Sequence, residues 1–315
     1  MLTMRKPNPN VNLMWRCAFC FAAALVCARP AGAQRVPGRD LLEFPIGTVA
    51  EAPVLASLAR DGLWNPATTV LEPGQRLRLT ASALDGPSEQ GVSSQLVSFA
   101  MPLGRVFSGG LSLLRASVSD LPRTETDPQS VGSDIPYGTI LASATVARRI
   151  GSNSKAGLAL RYQNGELDAI RRTAVSIDAG FIIQFPQIRD LRVGGSTFLL
   201  HSGFGSGNSG DSRLSIASDI RAFGATERAQ LRVGYSFAHA RLLAREHFAF
   251  LSARAGALEL NAGMLRTTAH GSTSHRSRFG VGLRSATLAV GLSREENASG
   301  IAPVYHVMVT THLIR

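Results

Sequence analysis

Cysteine is confined to the beginning of this 315-residue chain, where Cys17, Cys20 and Cys27 are its only three. Everything after residue 33 therefore lacks disulfides, thiolate nucleophiles and cysteine ligands for zinc. Charged residues make up only 17% of the chain and hydrophobic residues 44%. Soluble domains carry roughly 25% charged residues, and disordered chains have low hydrophobicity. The balance excludes bulk disorder and leaves a chain that is more apolar than most.

Apolar runs of membrane-spanning length are also missing. The run Cys17–Ala28 follows the basic residues Arg5 and Arg16 and precedes Ala31–Ala33, which reads Ala-Gly-Ala. Its length fits the apolar region of a signal peptide, and a transmembrane helix needs about 20 residues. The sequence therefore predicts a signal peptide over residues 1–33 and export of the rest.

Part of the chain's strong positive charge lies in that first segment. Without residues 1–33, which hold four of the basic residues and no acid, the formal net charge falls from +11 to +7. A moderately basic exported chain is more suited to anionic lipid head groups or acidic ligands than to nucleic acid. No nucleic-acid motif is found, so nucleic acid is not an expected partner.

Catalytic and metal-binding patterns are absent as well. No G-x-S-x-G elbow occurs, and the histidines show no metal-ligand spacing. The seven histidines are His201, His239, His247, His270, His275, His306 and His312. The sequence predicts no metal site, no cofactor and no enzymatic activity.

Alternation of apolar and polar residues dominates the chain from Gly74 onward. In Thr173–Phe185 the apolar side chains fall on one face and Ser176 and Asp178 on the other, and Glu227–Phe237 repeats the pattern. A period of two is typical of a β-strand with two unlike faces. Residues 34–73 differ, because they are rich in proline and hold a short possible helix at Val54–Ala59.

About fourteen alternating segments can be placed, and most approach the length of a tilted membrane strand. The predicted segments are 75–83, 92–101, 106–119, 138–149, 155–163, 173–185, 191–204, 213–221, 227–238, 247–255, 257–267, 277–284, 286–293 and 304–314. Longer links, such as 120–137, and shorter links, such as 150–154, are predicted to interleave strictly. Outer-membrane barrels have this asymmetry, with short periplasmic turns and longer extracellular loops. The predicted fold is all-β, a transmembrane antiparallel β-barrel of about 14 strands over residues 74–315, with a plug or periplasmic segment at 34–73.

Three stretches resemble a known superfamily. Leu63–Ala67 reads Leu-Trp-Asn-Pro-Ala, and Gln95–Gly104 and Leu141–Gly165 have a similar character. The chain resembles FadL-type transporters of hydrophobic compounds and their PorV-like relatives. The resemblance implies a fourteen-stranded outer-membrane barrel with a small N-terminal plug. FadL-type members transport hydrophobic molecules, and PorV-like members serve type IX protein secretion.

Two groups of residues are candidates for a functional site. The first, Trp64, Asn65 and Pro66, is either a plug or gate element or a tight turn held by a buried tryptophan. The second consists of charged residues predicted to face the lumen, namely Arg76, Arg78, Arg161, Asp178 and Arg232. These residues either bind a carboxylate through guanidinium groups or form Arg–Asp pairs that stabilise the interior.

The predicted location is the outer membrane of a Gram-negative-type bacterium, with membrane lipid and lipopolysaccharide as partners. The predicted function is transport of hydrophobic or amphipathic small molecules, or a PorV-like role with secretion machinery as partner. The alternatives are a structural or adhesive surface barrel with a sealed lumen and a soluble exported all-β binding domain.

Overall fold

A computed structural model of the protein describes residues 36–58, 60–87, 91–104, 106–123, 134–200, 212–226, 229–240, 244–269, 271–297 and 303–314. The predicted signal peptide lies outside these residues, as do His201 and His270. No helix in this part of the chain has the length and apolar character needed to cross a bilayer.

Fourteen antiparallel strands form a closed barrel in which each strand pairs with its neighbours in sequence and the first pairs with the last. The strands are β1 (Gln75–Asp85), β2 (Val92–Leu103), β3 (Phe107–Val118), β4 (Tyr137–Ile150), β5 (Ser154–Leu167), β6 (Ile170–Phe185), β7 (Leu191–Phe198), β8 (Arg213–Thr226), β9 (Ala229–Ala240), β10 (Arg245–Ala255), β11 (Leu258–Ala269), β12 (Ser272–Arg284), β13 (Leu288–Asn297) and β14 (Val304–Ile314). Closure pairs every strand edge, so the barrel has no open edge. The predicted all-β barrel and its strand number are confirmed.

The two ends of the barrel differ in their connections. At the turn end, where β1 begins and β14 ends, the connections span two to five residues, and at the loop end they span two to 18. The expected strict interleaving is wrong at two places, because the β5–β6 and β11–β12 connections at the loop end contain only two residues each. There the strands continue through the polar residues that were assigned to loops.

The outer wall of the barrel is apolar. Along most strands, buried and exposed residues alternate, and the exposed positions hold large apolar side chains such as Val97, Leu113, Leu251 and Met264. A soluble protein rarely exposes a continuous apolar belt, whereas hydrocarbon stabilises one. The wall is therefore built to face lipid.

The N-terminal segment, residues 36–58 and 60–72, lies against the lumen-facing side of the wall and is called the inner segment below. It contains three short 3₁₀ helices at Asp40–Glu43, Pro53–Leu55 and Pro66–Thr69. Its side chains are largely buried, and Leu63 is 0% exposed. Residues far apart in sequence thus form one interior.

An apolar cluster lies at the loop end of the interior, mainly on the side of β1 to β4. Leu42, Ile46, Leu63 and Trp64 of the inner segment pack against wall residues that include Leu84, Leu96, Leu114, Leu141 and Phe198. Burial of each large apolar side chain contributes about 1.5–3 kcal/mol. Together these contacts hold the inner segment in the lumen.

Candidate functional site

The Trp-Asn-Pro sequence is bonded both within the inner segment and to the wall. The Trp64 indole Nε1 donates to the Ile46 carbonyl oxygen at 3.0 Å, and its ring lies 4.9 Å from that of Phe198. The Asn65 side chain caps the 3₁₀ helix by accepting from the Ala67 amide nitrogen at 3.0 Å. The same side chain donates to the Phe181 carbonyl oxygen of β6 at 3.2 Å. Asn65 thus closes a turn and also ties that turn to the wall.

Glycine in the wall makes room for this turn. A Cβ atom on Gly180 of β6 would lie 2.0 Å from Asn65 Oδ1, and one on Gly157 of β5 would lie 2.6 Å from the Pro66 carbonyl carbon. Both distances are too short for any side chain, so the inner segment can approach the strands only where glycine is present.

Arg161 of β5 and Asp178 of β6 form an ion pair beside the Trp-Asn-Pro turn. Both side chains are 0% exposed. The Asp178 carboxylate also accepts from the amide nitrogens of Leu199 and Leu200 at 2.9 and 2.8 Å. The Arg161 guanidinium donates to the Leu63 carbonyl oxygen, and its carbon lies 4.6 Å from the centre of the Phe198 ring. The pair therefore joins two strands, the β7 end and the inner segment.

The other predicted lumen arginines occupy different positions. Arg78 is 2% exposed and donates to the carbonyl oxygens of Arg60 and Thr68 in the inner segment. Arg232 of β9 pairs with Asp219 and Asp190 near the turn end. Arg76 is exposed at an irregularity of register where β1 begins. The structure thus brings Arg161 and Asp178 together but separates them from Arg232 and Arg76.

A cavity of about 420 Å³ lies between the inner segment and the wall at the turn end, and it is called the basic pocket below. Its lining includes seven cationic side chains and three carboxylates. The cations are Arg60, Arg149, Lys155, Arg192, Arg232, Arg254 and Arg284, and the acids are Glu72, Asp190 and Glu259. Asp219, behind the lining, pairs with Arg192 and Arg232. The cations still outnumber the carboxylates, and the remaining excess of positive charge gives the pocket a potential that attracts anions.

Glu72 forms the centre of the contacts between the inner segment's end and the pocket wall. Its carboxylate accepts from Arg60 at 2.8 Å, from Arg149 of β4 at 2.7 Å and from Lys155 of β5 at 2.9 Å. Partial burial alone would raise the pKa of Glu72, but these three cations lower the pKa to about 2. The carboxylate therefore stays charged at every physiological pH.

Arg254 of β10 differs from the other pocket arginines. Its guanidinium has one weak contact, with the Gly256 carbonyl oxygen at 3.4 Å, and none of the ion pairs among the described residues involves it. It is thus the pocket cation that is most available to a ligand.

Sequence reasoning missed most of the basic pocket. Arg192, Arg254 and Arg284 lie on the lumen-facing parity of their strands, and that parity was a usable signal. Glu72 and Asp190 lie in connections, where alternation carries no information. The contacts of Glu72 depend on the path of the inner segment, and those of Asp190 depend on how the β6–β7 connection packs against β8 and β9.

A second carboxyl group of the inner segment is buried against the wall without a direct cation partner. Glu51 accepts from the Ser57 amide and hydroxyl groups and lies beside Glu259 of β11. Arg284 of β12 contacts Glu259 at 3.4 Å. Arg60 of the inner segment and Arg192 of β7 also lie within electrostatic range of Glu51. Burial, with Glu259 adding to it, raises the pKa of Glu51 to about 8.

This carboxyl group makes the stability of the barrel depend on pH. The folded-state pKa of Glu51 exceeds its ordinary value of 4.5, so the unfolded chain loses its proton first and the free energy of unfolding falls between pH 4.5 and about 8. We expect Glu51→Gln to remove more than about 1 kcal/mol of this decline. Guanidinium unfolding followed by Trp64 fluorescence measures it, and an equal decline in both proteins would contradict the assignment.

The fold and the apolar wall together define the chain as a transmembrane antiparallel β-barrel with an inner segment in its lumen. No protein-family model matches the chain, and no curated protein matches it. Among solved structures, OprB of Pseudomonas putida is 9% identical, with a TM-score of 0.42, over 76% of this chain and 92% of that one. Omp33, an outer membrane protein of Acinetobacter baumannii, is 6% identical, with a TM-score of 0.45, over 76% and 98%.

A mutant of the Rh. blastica porin is 9% identical, with a TM-score of 0.40, over 75% of this chain and 99% of that one. Because all these identities are far below 25% and the TM-scores below 0.5, the similarities imply nothing about a ligand. Function is therefore argued from the residues of this chain.

Among the described residues, no group of three or more histidine, cysteine, aspartate or glutamate side chains has the arrangement of a metal site. The interior repeatedly pairs arginine with carboxylate or with backbone carbonyl oxygen. Such an arrangement suits the binding of an anion rather than a metal.

Proposed function

We propose that the protein is an outer-membrane transport barrel for amphipathic small molecules with an acidic head group. The basic pocket carries this proposal. If the charged residues around the cavity only stabilised the lumen, we would expect their positive and negative charges to balance, because unpaired buried cations are costly. Even with Asp219, which pairs with Arg192 and Arg232 behind the lining, seven cations face four carboxylates, and an excess of three cations around a cavity is instead suited to an acidic ligand.

The orientation follows from the two ends of the barrel. Short turns of outer-membrane barrels face the periplasm and longer loops face the exterior. In that orientation the basic pocket opens toward the periplasm, and the apolar cluster lies on the outer side. A PorV-like role in protein secretion stays a prediction from the sequence resemblance.

Glu72 links ligand binding to the inner segment. An acidic head group in the pocket competes with Glu72 for Arg149 and Lys155, which are its links to β4 and β5. Loss of these links loosens the end of the inner segment that continues into β1. The ligand therefore weakens the attachment of the inner segment to the wall, from the side on which the pocket opens.

Binding of laurate, a twelve-carbon carboxylate, tests the proposal. Equilibrium dialysis of the purified barrel in detergent measures the Kd, with uncharged dodecanol as the comparison ligand. We expect Arg254→Ala to raise the Kd for laurate about fivefold and Glu72→Gln to lower it about fivefold, since each change is worth about 1 kcal/mol. Arg148→Ala, on the outward face of β4, is the matched control.

A sealed structural or adhesive barrel is the second candidate, and one observation favours it. Leu63, Asn65 and Ala52 of the inner segment are all 0% exposed, which shows how completely this segment is packed. Trp64 is the only tryptophan after the predicted signal peptide and reports on this packing. Binding of laurate with a change in Trp64 emission supports transport, whereas no binding supports the sealed barrel.

A further inference from the structure

Cationic and imidazole side chains gather on the outward face of the wall at the loop end of four neighbouring strands. They are His239 of β9, Arg245 and His247 of β10, Arg266 of β11 and His275 of β12. The strand pairing places His239 opposite Arg245, and His247 opposite Arg266, which is itself opposite His275. The five side chains form two adjacent rows, called the basic rows below.

The basic rows have no acidic counterpart on their own strands. The outward positions of β9 to β12 hold no aspartate or glutamate, and no ion pair among the described residues involves Arg245 or Arg266. Another outward arginine at this end, Arg171, is by contrast paired with an acid, Glu166, at 3.0 Å. Positive charge on a lipid-facing wall is costly unless an anion meets it there.

An apolar groove of about 720 Å³ lies on the same wall, on the turn-end side of the basic rows. Its lining includes Leu251, Ala253, Leu260, Ala262, Phe279 and Val281. Ala262 lies opposite Leu251 on one side and Phe279 on the other, so a small side chain between larger ones makes the surface concave. Arg266 is four residues further along β11, about 13 Å away along the strand.

We propose that this wall binds a phosphorylated glycolipid of the outer leaflet. One acyl chain occupies the apolar groove, and the phosphate groups lie on the basic rows. Guanidinium groups bind phosphate in a bidentate manner, so Arg245 and Arg266 are the main phosphate ligands, and the histidine rings donate further hydrogen bonds. The groove and the rows lie on the same face of neighbouring strands, about one short stretch of strand apart, and this arrangement favours a lipid over free phosphate. The inference rests on the proposed outer-membrane location but not on the basic pocket.

Native mass spectrometry of the purified barrel with bis-phosphorylated lipid A in dodecyl maltoside micelles tests the proposal. We expect the unaltered protein to retain lipid A and the variant Arg245→Ala/Arg266→Ala to bind it at least about tenfold more weakly, because two charge-assisted contacts are lost. Ala262→Trp, which fills the groove without removing charge, is expected to weaken binding as well. We expect lipid A without its two phosphates to bind the unaltered protein no more tightly than it binds Arg245→Ala/Arg266→Ala.

Arg115→Ala is the matched control, because Arg115 is outward-facing and exposed near the loop end of β3. Equal retention by the arginine variant and this control, or equal binding of the phosphate-free lipid, would overturn the proposal. Heat-modifiable migration identifies the folded fraction of each variant, and only that fraction is compared. Laurate binding is measured in the same samples. If the lipid A results contradict the proposal while laurate still binds, only this inference fails, and the proposed function stands.

Discussion

Asp178→Ala is expected to lower the free energy of unfolding by about 3–5 kcal/mol, the largest effect of any single substitution considered for this barrel. The substitution leaves the Arg161 guanidinium charged and fully buried without its direct ion-pair partner, and only Asp61, which makes no contact with it, remains within electrostatic range. It also removes the acceptor for the amide nitrogens of Leu199 and Leu200. Urea unfolding in detergent, followed by Trp64 fluorescence, measures the loss.

The effect depends on breaking only one side of the pair. Replacing both Arg161 and Asp178 by leucine removes the uncompensated charge, so the double variant is expected to lose less than Asp178→Ala alone. Arg171→Ala is the control for an exposed pair, because Arg171 and Glu166 are 77% and 39% exposed. That control is expected to cost less than about 1 kcal/mol. A loss on Asp178→Ala as small as the control's would show that the pair does not stabilise the lumen.

Leu251→Arg is expected to destabilise the folded barrel in lipid by about 2–4 kcal/mol. Leu251 is 47% exposed on the outward face of β10, between Val233 of β9 and Ala262 of β11. A guanidinium there lies in hydrocarbon without a partner. Folding into lipid vesicles at increasing guanidinium concentration measures the change.

The neighbouring residue on the same strand serves as the control. Ser252 faces the lumen and lines the basic pocket, so Ser252→Gln is expected to change the folding free energy by well under 1 kcal/mol. The contrast between adjacent positions is the signature of a wall with lipid on one side. If both variants fold equally well, the outward face of β10 is not in contact with hydrocarbon.

The strand pattern was accessible because alternation is a local property. The prediction for 304–314 coincides with β14 (Val304–Ile314), where apolar and polar residues alternate throughout. At β12 the prediction began at 277, but the strand begins at Ser272. Residues 272–276 are polar on both faces, because the strand extends past the apolar belt into the head-group region or the solvent. Hydrophobicity alone cannot mark that end.

The candidate site was accessible only in part. Parity places Arg161, Asp178 and Arg232 in the lumen, and all three are buried there. Arg76 has the same parity as Arg78, but the irregularity of register at the beginning of β1 leaves it exposed. A shift of one residue reverses the face of a strand position. Sequence alternation does not reveal where such a shift occurs.

Sequence alone determined the closed all-β barrel, its fourteen strands and its apolar exterior, because a period of two depends only on neighbouring residues and on the solvent each face meets. Only the tertiary structure decided the path of the inner segment, the ion pair of Arg161 with Asp178, the basic pocket around Glu72 and the basic rows on the outer wall. Each of these joins residues from distant parts of the chain, as the contact of Asn65 with Phe181 does. Such contacts depend on strand register and on the packing of the inner segment, which no local pattern encodes.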